Sequence, residues 1–123
     1  MKIILDTHIF LRLISQPNKI EEKIKKLIQS LSNSIYISSI TITEIMIKAS
    51  IGKLSIDFNP VKIALKSGFE LLEYKGDDVL LLKDMPFYHK DPFDRMIIAQ
   101  SISNNYSIIT NDEKFKLYDC KLI

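Results

Sequence analysis

Four carboxylates occupy comparable places along the chain: Asp6 in LDTH, Glu44 in TEIMIK, Asp94 in HKDPFDRMIIAQ and Asp112 in IITND. Asp6 and Asp112 each follow an apolar run of strand length. Glu44 lies one short connection beyond another such run, and Asp94 falls in the first turn of a helix opened by the HKDP turn. In an open parallel sheet, ligands bind at the carboxyl ends of the strands, where three of these acids must fall and whose edge the Asp94 helix start can share. Two bare carboxylates about 4 Å apart repel by roughly 4 kcal/mol at an effective dielectric of about 20. Four that converge therefore need protons or a cation. An all-oxygen set without His or Cys selects a hard ion, Mg²⁺ or Mn²⁺, over zinc. Such ions polarise phosphoryl oxygens and generate hydroxide from water, which indicates phosphate-ester hydrolysis rather than acyl or sugar chemistry.

A plainer reading explains the same residues. Asp6 can cap a helix, Glu44 can complete a capping box with Thr41, Asp91 can be the N-cap before Pro92 with Asp94 at the third position, and Asp112 can cap a short helix. Caps in a βα fold gather on one sheet edge for topological reasons. Spacing alone does not choose between caps and a shared site.

The elements that must position these acids can be read from periodicity. KIIL at 2–5 is a short apolar strand, and HIFLRLIS continues as a helix until Pro17-Asn18. Ile20, Ile24, Leu27, Ile28 and Leu31 repeat at helical spacing, which predicts an amphipathic helix over 20–31. SIYIS at 34–38 is a strand. A helix is expected from about 42 to 51, started by the Thr41–Glu44 box and ended at Gly52. Pro60 opens a further helix, residues 70–74 form a short strand, and Asp77–Lys83 a short helix. Pro92 with Phe93, Ile97, Ile98 and Ile102 predicts a helix to about Asn104, followed by the strand YSIIT, a short helix (EKFKLY) and a last strand, CKLI. Alternating strands and helices imply right-handed crossovers, and near-continuous apolar strands suit burial on both faces. The expected class is α/β: a three-layer α/β/α domain over residues 1–123 with a central, mostly parallel sheet.

LDTH, TEIMIK, HKDPFDRMIIAQ and IITND, in this order and spacing, resemble the PIN domain, most closely the VapC-type toxins of bacterial type II toxin–antitoxin pairs. The DPFDR-x-x-I-AQ block is the most specific piece. The resemblance implies a Mg²⁺- or Mn²⁺-dependent endoribonuclease, hydrolysing RNA phosphodiester bonds with metal-activated water. It assigns Asp6, Glu44, Asp94 and Asp112 to a catalytic, metal-binding quartet. It places Thr7, Thr110 and Asn111 as small polar residues beside the metal, and leaves Asp91 outside the quartet as an N-cap. It further implies a homodimer, a cognate antitoxin that blocks the acidic groove, and a cytoplasmic setting. Relatives with the E-I-x-x-K block often carry Trp before the Glu, where Thr43 stands here. The contrasting reading is a non-catalytic PIN-like binding module that retains its acids as caps. Receiver domains and aspartyl phosphatases fit less well, because LDTH lacks paired acids and a D-x-D pattern.

Lys48, four residues after Glu44, suits an i,i+4 ion pair, with contact to substrate phosphate as the alternative. Arg95 and Lys90 flank the site; Arg95 is either a backbone-phosphate contact or a structural ion pair. His8 and His89 read as polar contacts. The net charge of +2 provides no global field for a polyanion, so nucleic-acid binding requires a local patch. One cysteine, Cys120, excludes an internal disulfide and a Cys-based zinc site. No apolar run reaches membrane-spanning length, and MKIILDTHIF is interrupted by Asp6 too soon for a signal peptide.

Overall fold

The computed structural model describes residues 1–123. Five strands, β1 (Lys2–Leu5), β2 (Ser34–Ser38), β3 (Glu70–Leu72), β4 (Ser107–Ile109) and β5 (Lys121–Leu122), form one sheet in the order β3-β2-β1-β4-β5, with every neighbouring pair parallel. Leu5 on the central strand stands in register with Ile37 and Ile109. The chain therefore leaves β1, β2 and β4 at one edge, which is where Asp6, α3 and Thr110 begin.

Six helices cover the sheet: α1 (Thr7–Ser15), α2 (Glu22–Gln29), α3 (Ser39–Ser50), α4 (Pro60–Lys66), α5 (Gly76–Leu80) and α6 (Pro92–Asn104). Strand alternation divides the core in two. Ile3, Leu5, Ile35, Ile37 and Ile109 pack on one side with Ile9, Phe10, Ile20, Ile45 and Ala64. Ile4 and Ile108 face the other side, against Ile97 and Ile98 of α6 and Phe115 and Tyr118. Each such side chain contributes roughly 1.5–3 kcal/mol by leaving water, so the two apolar faces rather than the helix ends hold the layers together. The three-layer α/β/α expectation is met, with a fully parallel sheet. No helix is long and apolar enough to cross a membrane.

Three local expectations change. The helix expected over 20–31 is Glu22–Gln29: a 3-10 turn at Pro17–Lys19 delays its start, and Leu31 stands fully exposed beyond its end. The helix expected from 42 starts at Ser39, because Ser38 both ends β2 and caps α3, accepting from the Ile40 N–H at 3.0 Å. Thr41 is consequently buried inside α3, and its hydroxyl accepts from Thr7, so there is no Thr41–Glu44 capping box. The Asp77–Lys83 segment divides into α5 and a 3-10 turn, Leu81–Lys83. The helix predicted from Pro92 matches α6 to the residue; Asn105 ends it at φ 58°.

Candidate metal centre

Four separate elements deliver the four acids to one edge of the sheet. Asp6 follows β1 and is the N-cap of α1. Its Oδ1 accepts the Ile9 N–H at 2.8 Å, and its Oδ2 accepts the Thr110 hydroxyl. The Asp6 N–H donates to the Ile109 carbonyl at 3.1 Å, which fixes it against the end of β4. Asp112 caps the 3-10 turn Glu113–Leu117 by accepting the Lys114 N–H at 2.9 Å. Its own N–H donates to Thr110 Oγ1 at 3.0 Å, so a single threonine hydroxyl links Asp6 and Asp112.

Glu44 and Asp94 are different, because neither accepts a backbone N–H. Glu44 is buried in α3; Oε2 meets Lys48 Nζ at 2.5 Å, while Oε1 is buried without a hydrogen-bond partner. Asp94 is buried in the first turn of α6, and the cap there is Asp91, whose Oδ1 accepts from Phe93 N–H at 2.9 Å and Asp94 N–H at 3.3 Å. Capping thus accounts for one oxygen each of Asp6 and Asp112 and for nothing at Glu44 or Asp94.

Electrostatics ties the acids together through Asp94. Burial pushes the Asp94 carboxyl up to about 7, and the negative fields of Asp91, Glu44, Asp6 and Asp112 add to the rise. Burial also raises Asp6, partly offset by its bonds from Thr110 and Ile9. Lys48 is raised by its bond to Glu44, against burial, with help from the fields of Asp91 and Asp94. Its i,i+4 pairing with Glu44 is the one its spacing suggested.

One potential ligand set includes His89, which reads in the sequence only as a polar contact. One ligand atom each from His89, Asp94 and Asp112 lie within 4.8 Å of one another, while Asp6 and Glu44 fall outside that spacing. His89 Nε2 is 3.5 Å from Asp94 Oδ2 and has no hydrogen-bond partner. Proximity to Asp91 in HKDP was the only sequence signal for this residue; its anchor, Tyr118, lies 29 residues away.

The remaining expected residues divide. Thr110 touches Asp6 directly. Thr7 is buried and donates to Thr41 at 3.1 Å rather than to an acid. Asn111 is exposed and outside the hydrogen-bond network. Arg95 is buried, with its guanidinium donating to the carbonyls of Pro86 (2.7 Å) and Met85 (3.3 Å) and to the Tyr118 hydroxyl (3.2 Å), and stacked 3.9 Å from the Phe87 ring. It holds the 85–89 loop and has no carboxylate partner, so the structural ion pair expected as one alternative is absent.

Hard oxygen donors, an orphaned buried Glu44 oxygen and a carboxyl that burial and neighbouring acids push up to about 7 together fit a divalent cation. Asp94 and Asp112 border a cleft of about 610 Å³ rimmed by Phe87, Tyr88, Lys90 and Lys114. Glu44 and Lys48 line a smaller pocket of about 210 Å³, and His8 lines both.

Over residues 3–120 the chain matches the PIN domain, and it belongs to that family, whose members are generally nucleases. Nothing among curated proteins matches it. Among solved structures it is similar to VapBC2 from Rickettsia felis bound to a promoter DNA fragment, with a TM-score of 0.77 and 21% identity over 100% of this chain and 98% of that one. It is also similar to VapBC-1 from nontypeable Haemophilus influenzae, with a TM-score of 0.70 and 21% identity over 100% and 97%. The PIN domain endonuclease Utp24 aligns with a TM-score of 0.51 and 21% identity, over 94% of this chain and 74% of that one. At these identities the likeness is one of fold.

Proposed function

We propose that this chain is a Mg²⁺- or Mn²⁺-dependent endoribonuclease, the toxin of a type II toxin–antitoxin pair. The observation that carries the catalytic reading is the pair of buried carboxylates, Glu44 and Asp94, that cap nothing, with Asp94 feeling the negative fields of Glu44, Asp6 and Asp112. A non-catalytic module whose acids serve as caps accounts for Asp6 and Asp112 only.

Asp6, Glu44, Asp94 and Asp112 would hold the cation. When bound, it supplies Lewis acidity that polarises a phosphodiester oxygen and acidifies water. The chain's own residues do the rest. Thr110 keeps the Asp6 carboxylate turned toward Asp112. Lys48 balances Glu44 and keeps a buried charge from standing alone. On the rim, exposed Lys90 and Lys114 offer charge to the RNA backbone, and exposed Phe87 and Tyr88 offer faces on which unstacked bases can rest.

The toxin assignment draws on the VapBC structures, which are toxin–antitoxin assemblies of the same fold. By analogy the chain forms a homodimer in the cytoplasm and is silenced by a cognate antitoxin segment laid over the acid cleft. Purified protein should cleave single-stranded RNA with Mn²⁺ or Mg²⁺ and stop when a chelator is added. Cleavage that persists in chelator would overturn the metal-dependent reading.

A further inference from the structure

Tyr118 Oη accepts two N–H bonds, from the His89 backbone at 3.1 Å and from Arg95 Nη1 at 3.2 Å. It also lies 3.1 Å from the imidazole Nδ1 of His89. With both acceptor positions of the phenol oxygen in use, only its own hydrogen can occupy the line to Nδ1, so Nδ1 accepts. The ring proton then sits on Nε2. That nitrogen has no hydrogen-bond partner, its side chain is 3% exposed, and its nearest carboxylate oxygen is Asp94 Oδ2, 3.5 Å away. Phe115 packs edge-on against the ring at 5.9 Å and leaves it little freedom to turn.

We infer that His89 is a positioning residue for the acid cluster: Tyr118 fixes its tautomer, and its Nε2–H steadies the Asp94 carboxylate for the cation. This deepens the proposed function and rests on it for the cation. It also decides the role of the tight His89–Asp94–Asp112 set. A metal ligand must present a bare nitrogen, and here the nitrogen near Asp94 carries the hydrogen. His89 therefore acts through Asp94 and is not itself a ligand. Arg95 belongs to the same device, since its bond to Tyr118 uses up an acceptor position that would otherwise let Nδ1 donate. The chain Arg95–Tyr118–His89–Asp94 gives the Arg of DPFDR a reason to stand beside the acid without touching substrate.

The test combines tautomer and affinity. ¹⁵N NMR of histidine-labelled, metal-free protein is expected to show His89 with Nε2 protonated and Nδ1 bare, unchanged on adding Mg²⁺. Tyr118→Phe, which removes the hydroxyl hydrogen, is expected to abolish that preference. Mn²⁺ affinity by calorimetry is expected to fall on the order of 10- to 100-fold in His89→Ala, the usual range for loss of an outer-shell partner, and to recover substantially in His89→Gln, whose amide can still donate. A proton on Nδ1 with a bare Nε2, or its transfer there on adding Mg²⁺, would overturn the inference. Equal Mn²⁺ affinity in wild type and His89→Ala would also overturn it. If wild type binds no Mn²⁺ while the tautomer is as described, the metal reading fails and the tautomer set by Tyr118 stands.

Discussion

Lys48 Nζ stands 2.5 Å from Glu44 Oε2, while the other oxygen of that carboxylate is buried with no partner. The lysine is thus an internal counter-ion for Glu44, and it leaves Glu44 Oε1 available.

Lys48→Met removes that counter-ion. With chelator present it should cost about 1–3 kcal/mol, the penalty of a buried charged acceptor left unpaired. Thermal melts in chelator and in Mn²⁺ check this: the gap between the two conditions should widen in the variant, because the cation then compensates alone.

The metal-free protein should lose stability as pH rises from 5 to 8. Asp94 is raised from 3.8 to about 7 by burial and by Asp91, Glu44, Asp6 and Asp112, with Lys48 and His89 nearby. The folded state therefore holds a proton that the unfolded chain gives up. That contribution is complete below 3.8 and lost as pH climbs through about 7. Saturating Mg²⁺ should flatten the dependence. A melting temperature in chelator that rises across this window would contradict the sign.

Asp91 and Asp94 should separate cleanly on substitution. Asp91→Ala should cost about 1 kcal/mol of stability through the lost cap, and Asp91→Ser much less. Both should retain cleavage. Asp94→Asn should abolish cleavage while melting at or above wild type in chelator at pH 8, since it removes a charge that burial and four acids oppose.

Arg95→Lys should lower stability by roughly 1–3 kcal/mol, because the compact ammonium lacks the planar fork that spans two carbonyls and a phenol while stacking on Phe87. RNA affinity measured against salt should keep its slope, whereas Lys90→Ala and Lys114→Ala should each reduce it by about one unit.

Much of this was legible in the sequence where the signal is local. β2 and α6 fall where periodicity and the Asp91-Pro92 start place them, and the two-sided apolar strands announced the three layers. The start of α3 was not, because the Thr41–Glu44 pattern is chemically a capping box and only the absence of any loop after β2 gives the cap to Ser38. His89 escaped because its role depends on Tyr118 and Arg95, brought to it by the second core face. The four acids were visible as a set, yet only the backbone hydrogen bonds they accept separate the two that cap from the two that do not.

The central claim, that Asp6, Glu44, Asp94 and Asp112 form one metal-dependent RNA-cleaving site, is tested most directly by RNA cleavage with the Asp6→Asn, Asp94→Asn double variant in Mn²⁺. The account predicts that the folded variant leaves RNA intact while wild type cuts it and chelator stops wild type. Undiminished cleavage by the double variant would contradict it.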